Sequence, residues 1–425
     1  MNKALIKKEF KKSVRLGTGA AYLLIKKYPS VNFTKEIIYC ATHNLAYDRQ
    51  CEPSRAKYLY EIICLSAYKE EITKAILSVF LRQKSGFYDL DQMSEIAALM
   101  AIDGNKRART VIYKRFGKNL LPDFQYCGNN ALMEMDGING LLRIADVVGQ
   151  ILQADPDDWE DGTREYYFQK QNPDIDVFQY LEDAAKTNPN IRIYLNSINE
   201  NKALRSAAPG RMPFTYASVK DIIENNTKKT SSALIIRDLG EGDLLQLARD
   251  FLKEENPQKK EQYLRIFSKS KFPLGYKPLM EIIQGKRSSK HQCFFFGIQA
   301  LSYFTSLKLR ALVVDKLHNA ANGWEYLPLL ERNYKEGDSK ELLAIIEKAK
   351  NQDRLHRIAA DIVDIYRANP TKDCTKPIEA IYKRLTCSNH REDLMQILQE
   401  NDVLSKKIAS ELKYDCSIDT RNLVV

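Results

Sequence analysis

Apolar side chains recur at intervals of three and four along most of this chain. After the start signal Pro53-Ser54, the positions Tyr58, Leu59, Ile62, Ile63 and Leu65 fall on one face of a helix. Fourteen further runs follow the same period, from Ile72–Leu81, Met93–Ala101, Ala108–Phe116 and Leu141–Leu152 to Ile358–Tyr366, Ile378–Leu385, Leu394–Leu398 and Val403–Leu412. Short polar connections separate them. Strand-like alternation is confined to Ile191, Ile193 and Leu195, which equally suit the start of a helix. The longest uncharged stretch, His291–Leu307, has 17 residues and includes His, Gln and Ser. It falls short of the roughly 20 apolar residues of a membrane span and reads as a buried helix. The pattern predicts an all-α protein.

Many short helices raise the question of internal repeats. Pro278, Pro328 and Pro377 stand 50 and 49 residues apart, each opening a helical pattern where the missing N–H costs nothing. Ala311, Ala360 and Ala409 keep that register, followed by Val314, Val363 and Leu412. Small residues at a fixed position suit close helix stacking. In the N-terminal half Asp103-Gly and Asp136-Gly lie 33 residues apart, each placed to cap the helix that follows.

Two segments carry a family likeness. Ile96-Ala-x-Leu followed by Asp103, Arg107, Ala108 and Val111, and Leu342-Leu343-x-Ile-Ile followed by Asp353, Arg357 and Ala359, resemble HEAT-type units. Such units have a first helix, a turn bearing Asp, and a second helix with an inward Arg or Lys. The resemblance implies an α-solenoid of stacked antiparallel helix pairs, HEAT- or armadillo-like, and carries no function with it. It covers residues 50–150 and 240–415. Between them, prolines 156, 173, 189, 209 and 213 and the acidic run Asp155–Asp161 predict an irregular central insertion. The expected organisation is a basic helical array over 1–150, an acidic, loop-rich segment over 151–238, and a second array over 239–425.

Composition agrees with helices. Gly and Pro number 18 and 14 of 425, below the roughly 12% of ordinary usage and too few for a turn-rich β-fold. Eight cysteines without a Cys-x-x-Cys pair predict reduced thiols in a cytoplasmic protein. The opening Met1–Arg15 lacks the uninterrupted apolar run of a signal peptide. The net charge of +10 is segmented: residues 1–125 hold 22 basic and 12 acidic side chains, and the remaining 300 balance at 43 and 43. Such asymmetry speaks to partners, not to fold.

The basic excess supplies the candidate sites. Around Lys106 and Arg107, a helical projection puts Arg107, Lys114 and Lys118 on one face with Arg115 nearby, and Ala108, Ile112 and Phe116 opposite. A cationic stripe of this kind tracks phosphates or forms a solvated repeat face. Arg109, on the apolar side, is expected to pair with an Asp of a neighbouring unit. At the N-terminus Lys7, Lys8, Lys11 and Lys12 oppose Ile6, Phe10 and Val14. That amphipathicity suits a cap on the end of an array, a membrane surface or nucleic acid.

Other chemistry finds little footing. Cys40 with His43, and His291 with Cys293, offer two ligands each where structural zinc takes four, so no metal site is expected. The loop from Asp155 to Gly162 puts Trp159 and Phe168 where a calcium loop needs Asp or Asn and then Glu. No nucleotide-binding, metalloprotease or serine-hydrolase motif occurs, and no cofactor is expected. The expectation is a non-catalytic scaffold docking a protein partner along a solenoid surface. Nucleic-acid binding by the basic third is the alternative, and a helical-repeat DNA glycosylase a distant third.

Overall fold

The computed structural model describes residues 2–83, 86–116, 128–155, 157–207, 210–225, 230–285 and 290–424. Among these residues every regular element is a helix. The chain divides into two compact units: Met1–Gly210 with Thr386–Ser388 and Lys406–Val425, and Arg211–Leu385 with Asn389–Ser405.

The first unit opens with α1 (Lys3–Leu16), α2 (Ala20–Lys27), α3 (Thr34–Thr42), α4 (Ala56–Leu65), α5 (Lys69–Arg82), α6 (Phe87–Ile102), α7 (Lys106–Phe116) and α8 (Asn129–Asp136). It continues with α9 (Ile138–Ala154), α10 (Thr163–Gln171), α11 (Val177–Ala185) and α12 (Pro189–Ala207). Its core runs continuously from Ile6 to Ile198. The start is set locally: the Asn2 side chain accepts from the Ala4 N–H at 3.1 Å, and Gly17, at φ 79°, ends α1 by donating to Ser13 and Val14. Ile6, Phe10 and Val14 are buried as the periodicity predicts, with Phe10 stacked on Phe33 of the α2–α3 connection at 4.0 Å. Each such burial stabilises by about 1.5–3 kcal/mol.

Packing alternates. α3 lies on α1 and α5, and α5 on α7; α4 lies on α2 and α6, and α6 on α8. Odd helices therefore form one layer and even helices a second. α9 then packs on α8, α11 and α12, closely enough that a Cβ on Gly149 would sit 2.0 Å from the Asn190 carbonyl.

The end of the chain belongs to this first unit. α24 (Lys406–Leu412) and α25 (Ile418–Asn422) return to the opening helices: Cys416 N–H donates to the Gly17 carbonyl at 2.9 Å, and Tyr414 stacks on Tyr22 at 4.0 Å. Arg421 makes a two-pronged pair with Glu61 at 3.0 and 2.9 Å. A Cβ on Gly19 would stand 1.9 Å from the Glu411 carbonyl, so only glycine admits this closure.

The second unit holds α13 (Tyr216–Asn225), α14 (Ser232–Asp238), α15 (Glu241–Lys253), α16 (Pro257–Phe267), α17 (Lys277–Gln284), α18 (Cys293–Leu301) and α19 (Leu307–Asn319). After a 3-10 segment, Gly323–Leu330, come α20 (Ser339–Lys348), α21 (Gln352–Ala368), α22 (Thr375–Tyr382) and α23 (Ser388–Glu400). Asn256 and Pro257 start α16 by cap and fixed φ. Phe251, Tyr263, Phe267 and Phe272 form its aromatic centre, with Phe267 and Phe272 edge to face at 4.8 Å.

Several expectations change. Residues 151–238, expected to be irregular and loop-rich, carry α10 to α14 among the described residues. Two of the prolines there punctuate helices: Pro173 lies between α10 and α11, and Pro189 opens α12, which absorbs Ile191, Ile193 and Leu195. The 49–50-residue register is uneven, because Pro328 lies inside a 3-10 segment whereas Pro278 and Pro377 sit in first turns, and Ala311 is exposed. Asp103 and Asp136 end α6 and α8 instead of capping their successors. Their carboxylates accept the hydroxyls of Tyr60 and Tyr113, and the α7 cap falls to Asn105, whose side chain accepts from Ala108 at 3.0 Å. Arg107 and Arg357, inward in the HEAT pattern, are exposed here. The predicted helix within His291–Leu307 forms as α18, and among the described residues no helix is long and apolar enough to cross a membrane.

Candidate nucleic-acid interface

The two layers of the first unit differ in charge. α1, α3, α5 and α7 carry fifteen basic and four acidic side chains. α2, α4, α6 and α8 carry three basic and six acidic ones. The basic excess of the first third is therefore sorted onto one helix layer by the alternating topology.

Each proposed residue can be placed. Lys7, Lys8, Lys11 and Lys12 are exposed on α1, opposite the buried Ile6, Phe10 and Val14. Lys106, Arg107 and Lys114 are exposed on α7 and Arg115 is half-buried, while Ala108, Ile112 and Phe116 are buried. Lys118 lies outside the described residues. Arg109 pairs with Asp136 at 2.6 Å and leans over the Tyr113 ring at 5.7 Å, meeting the expected aspartate from a neighbouring helix. α1 and α7 share the odd layer, with α3 and α5 stacked between them.

The structure gathers one group that the sequence did not single out. Lys11 and Arg15 of α1 face Lys35, Glu36, Tyr39 and Cys40 of α3 around a cavity of about 390 Å3. Arg15 lies over the Tyr39 ring at 5.1 Å, and Tyr39 stacks on His43 at 4.4 Å with an interplanar angle of 17°. Tyr39 is nevertheless 42% exposed. The backbone beneath is held by Arg55, which is buried and donates to the Arg15 carbonyl at 2.9 Å and the Thr386 carbonyl at 2.7 Å. Glu52 balances Arg55 at 3.5 Å and accepts from Ser388 N–H and Oγ at 2.8 and 2.9 Å. Burial pushes the Cys40 thiol up to about 12, although Arg15 and Arg55 pull it down, so the cavity wall there is neutral. The i,i+4 spacing of Lys7, Lys11 and Arg15 could have marked the α1 side of this group. Lys35 and Tyr39 reach it only through α1–α3 packing.

In the loop before α10, Asp161 accepts from Thr163 N–H at 2.9 Å and from Arg205 at 2.8 Å, and both hold its carboxyl below the usual range. Asp155 accepts from Asp157 N–H at 3.2 Å. A cavity of about 390 Å3 nearby, lined by Asp91, Asn129, Arg164 and Tyr167 among others, thus has its Asp161 paired with Arg205 and its Glu160 within 3.5 Å of Arg164. In the second unit a cavity of about 520 Å3 includes Glu261, Arg265 and His291, with His291 3.4 Å from Glu261. His43 Nδ1 lies 2.9 Å from the Tyr39 carbonyl, and the Cys293 thiol donates to Pro257 at 3.6 Å.

No protein-family model matches this chain, and comparisons with curated proteins and with solved structures return no match. What stands is an all-α protein whose first unit exposes one strongly basic helix layer.

Proposed function

We propose that this chain is a non-catalytic, HEAT-like helical-repeat scaffold that binds a nucleic-acid strand across the odd helices of its first unit. The alternate packing of α1 to α8 supports the repeat reading. The observation that carries the binding reading is uncompensated charge. Of the cations on α1, α3 and α7, Arg109 is the one with an ion pair among the described residues. Uncompensated cations attract a polyanion and release its condensed counterions, which makes affinity strongly salt-dependent. Helices stacked about 8–10 Å apart present successive groups of cations along the path of one polyanionic backbone.

The test is fluorescence anisotropy of labelled DNA and RNA strands over a salt series. Tight binding at about 50 mM salt that weakens steeply by about 200 mM supports the reading. Absence of binding at the lower salt refutes it.

A protein partner is the second reading, favoured by Trp159, Tyr166 and Tyr167, each more than half exposed on or beside α10. Exposed aromatic groups are the usual anchors of protein interfaces. Retention of a discrete partner that survives high salt and is lost in Tyr166→Ala/Tyr167→Ala would favour it.

A further inference from the structure

We infer that the α1–α3 cavity is a pocket for a single unstacked nucleotide, with the base against Tyr39 and the phosphate on Lys11, Arg15 and Lys35. This rests on the nucleic-acid reading above and narrows it from a charged surface to a defined subsite.

Three features converge on it. The volume, about 390 Å3, suits one nucleotide. The lining joins three cations to one ring, the combination by which sequence-tolerant single-strand sites work: cations follow the backbone and an aromatic face takes the base. The ring is also pre-positioned. His43 stacks on Tyr39 at 4.4 Å and Arg15 lies over the ring at 5.1 Å, so the base takes the place of the Arg15 guanidinium when that group turns to the phosphate. Arg55, holding the Arg15 carbonyl at 2.9 Å, fixes the end of α1 that carries the guanidinium.

The remaining lining residues are consistent with this occupant. Glu36 is the one carboxylate lining the cavity and is a hydrogen-bond acceptor. It suits the N–H edge of a base and repels phosphate, which places the phosphate on the Lys11 and Lys35 ammonium groups. Cys40 adds a neutral wall. A phosphate alone would leave the Tyr39 ring unused.

The experiment compares three 12-nucleotide probes by anisotropy at about 100 mM salt: a mixed-sequence single strand, its duplex, and an abasic strand of equal phosphate count. The single strand should bind more tightly than the abasic strand by about 5- to 100-fold, the contribution of one stacked base. Tyr39→Ala should abolish that difference, and Tyr39→Phe, which keeps the ring, should retain it. Circular dichroism of each variant confirms folding, and Lys35→Ala, on the exposed side of α3, should weaken all three probes without touching the base-dependent ratio.

Equal affinity for the single strand and the abasic strand would overturn the pocket while leaving surface binding of nucleic acid intact. So would a preference for the duplex, or a base-dependent ratio unchanged in Tyr39→Ala. No binding of any probe even at about 50 mM salt would remove the pocket and the underlying reading together.

Discussion

From α1 to α8 the odd and even helices are built alike and charged oppositely. Both layers bury apolar stripes in one continuous core. α1, α3, α5 and α7 carry a large basic excess, whereas α2, α4, α6 and α8 are mildly acidic. Packing demands only the inward stripe of each helix, so the outward positions were open to any charge pattern. On the proposed reading, their sorting by layer serves a polyanionic partner.

The comparison can be broken from either side. The largest effect should come from reversing charge in the odd layer: Lys8→Glu/Arg107→Glu/Lys114→Glu should weaken strand binding about 100-fold at low salt, as read by anisotropy. Lys57→Glu, the same change on the even helix α4, should leave affinity within about threefold.

Next comes the closure beneath both layers. Gly19→Ala puts a methyl into the Glu411 carbonyl, and overpacking of this kind costs about 1–3 kcal/mol. A lowered urea midpoint, with faster hydrogen exchange over α24 and α25 than elsewhere, is expected. A midpoint equal to the parent's would show that the chain end contributes no stability through this contact.

The acidic even layer has its own signature. Burial pushes Glu95 on α6 up to about 7, with Asp91 and Glu134 adding repulsion and hydrogen bonds from Ser54 and Asn130 opposing it. The unfolded chain ionises this group near about 4.3, so the folded state binds the extra proton between the two values. Stability should fall as pH rises from about 4.5 to 7 and level off above. Glu95→Gln should remove that decline and exceed the parent by about 1–3 kcal/mol at pH 8. Parallel stability profiles for the two proteins would contradict the raised carboxyl of the half-buried Glu95.

The smallest effect concerns Arg109, the paired exception in the basic layer. Its guanidinium is half-exposed beside Asp136, so Arg109→Ala should cost less than about 1 kcal/mol of stability. Strand affinity should change less than with Lys114→Ala, because its charge is already answered.

Much of the fold was legible from periodicity. The amphipathic faces of α1 and α7 emerge as predicted, because the inward stripe is a local property of each helix. The 151–238 region departs from the expected loops because Pro189 occupies a first turn, where proline is tolerated, and Asp176 caps α11. The return of α24 and α25 rests on Gly17, Gly19, Tyr22 and Glu61 meeting residues 360 or more positions away, which no local pattern encodes. The candidate site was half visible for the same reason. Lys11 stood out within a basic run, but Lys35, one lysine beside one glutamate, gains meaning only from the packing of α3 on α1.

The central claim is that the odd layer, and not net charge as such, binds a nucleic-acid strand. The most direct test is the slope of log affinity against log salt for the parent and for the Lys8→Glu/Arg107→Glu/Lys114→Glu variant. Three engaged phosphates should lower the steepness of that slope by about 2–3 in the variant, and Lys57→Glu should leave it unchanged. A slope that is the same in all three proteins would contradict the claim.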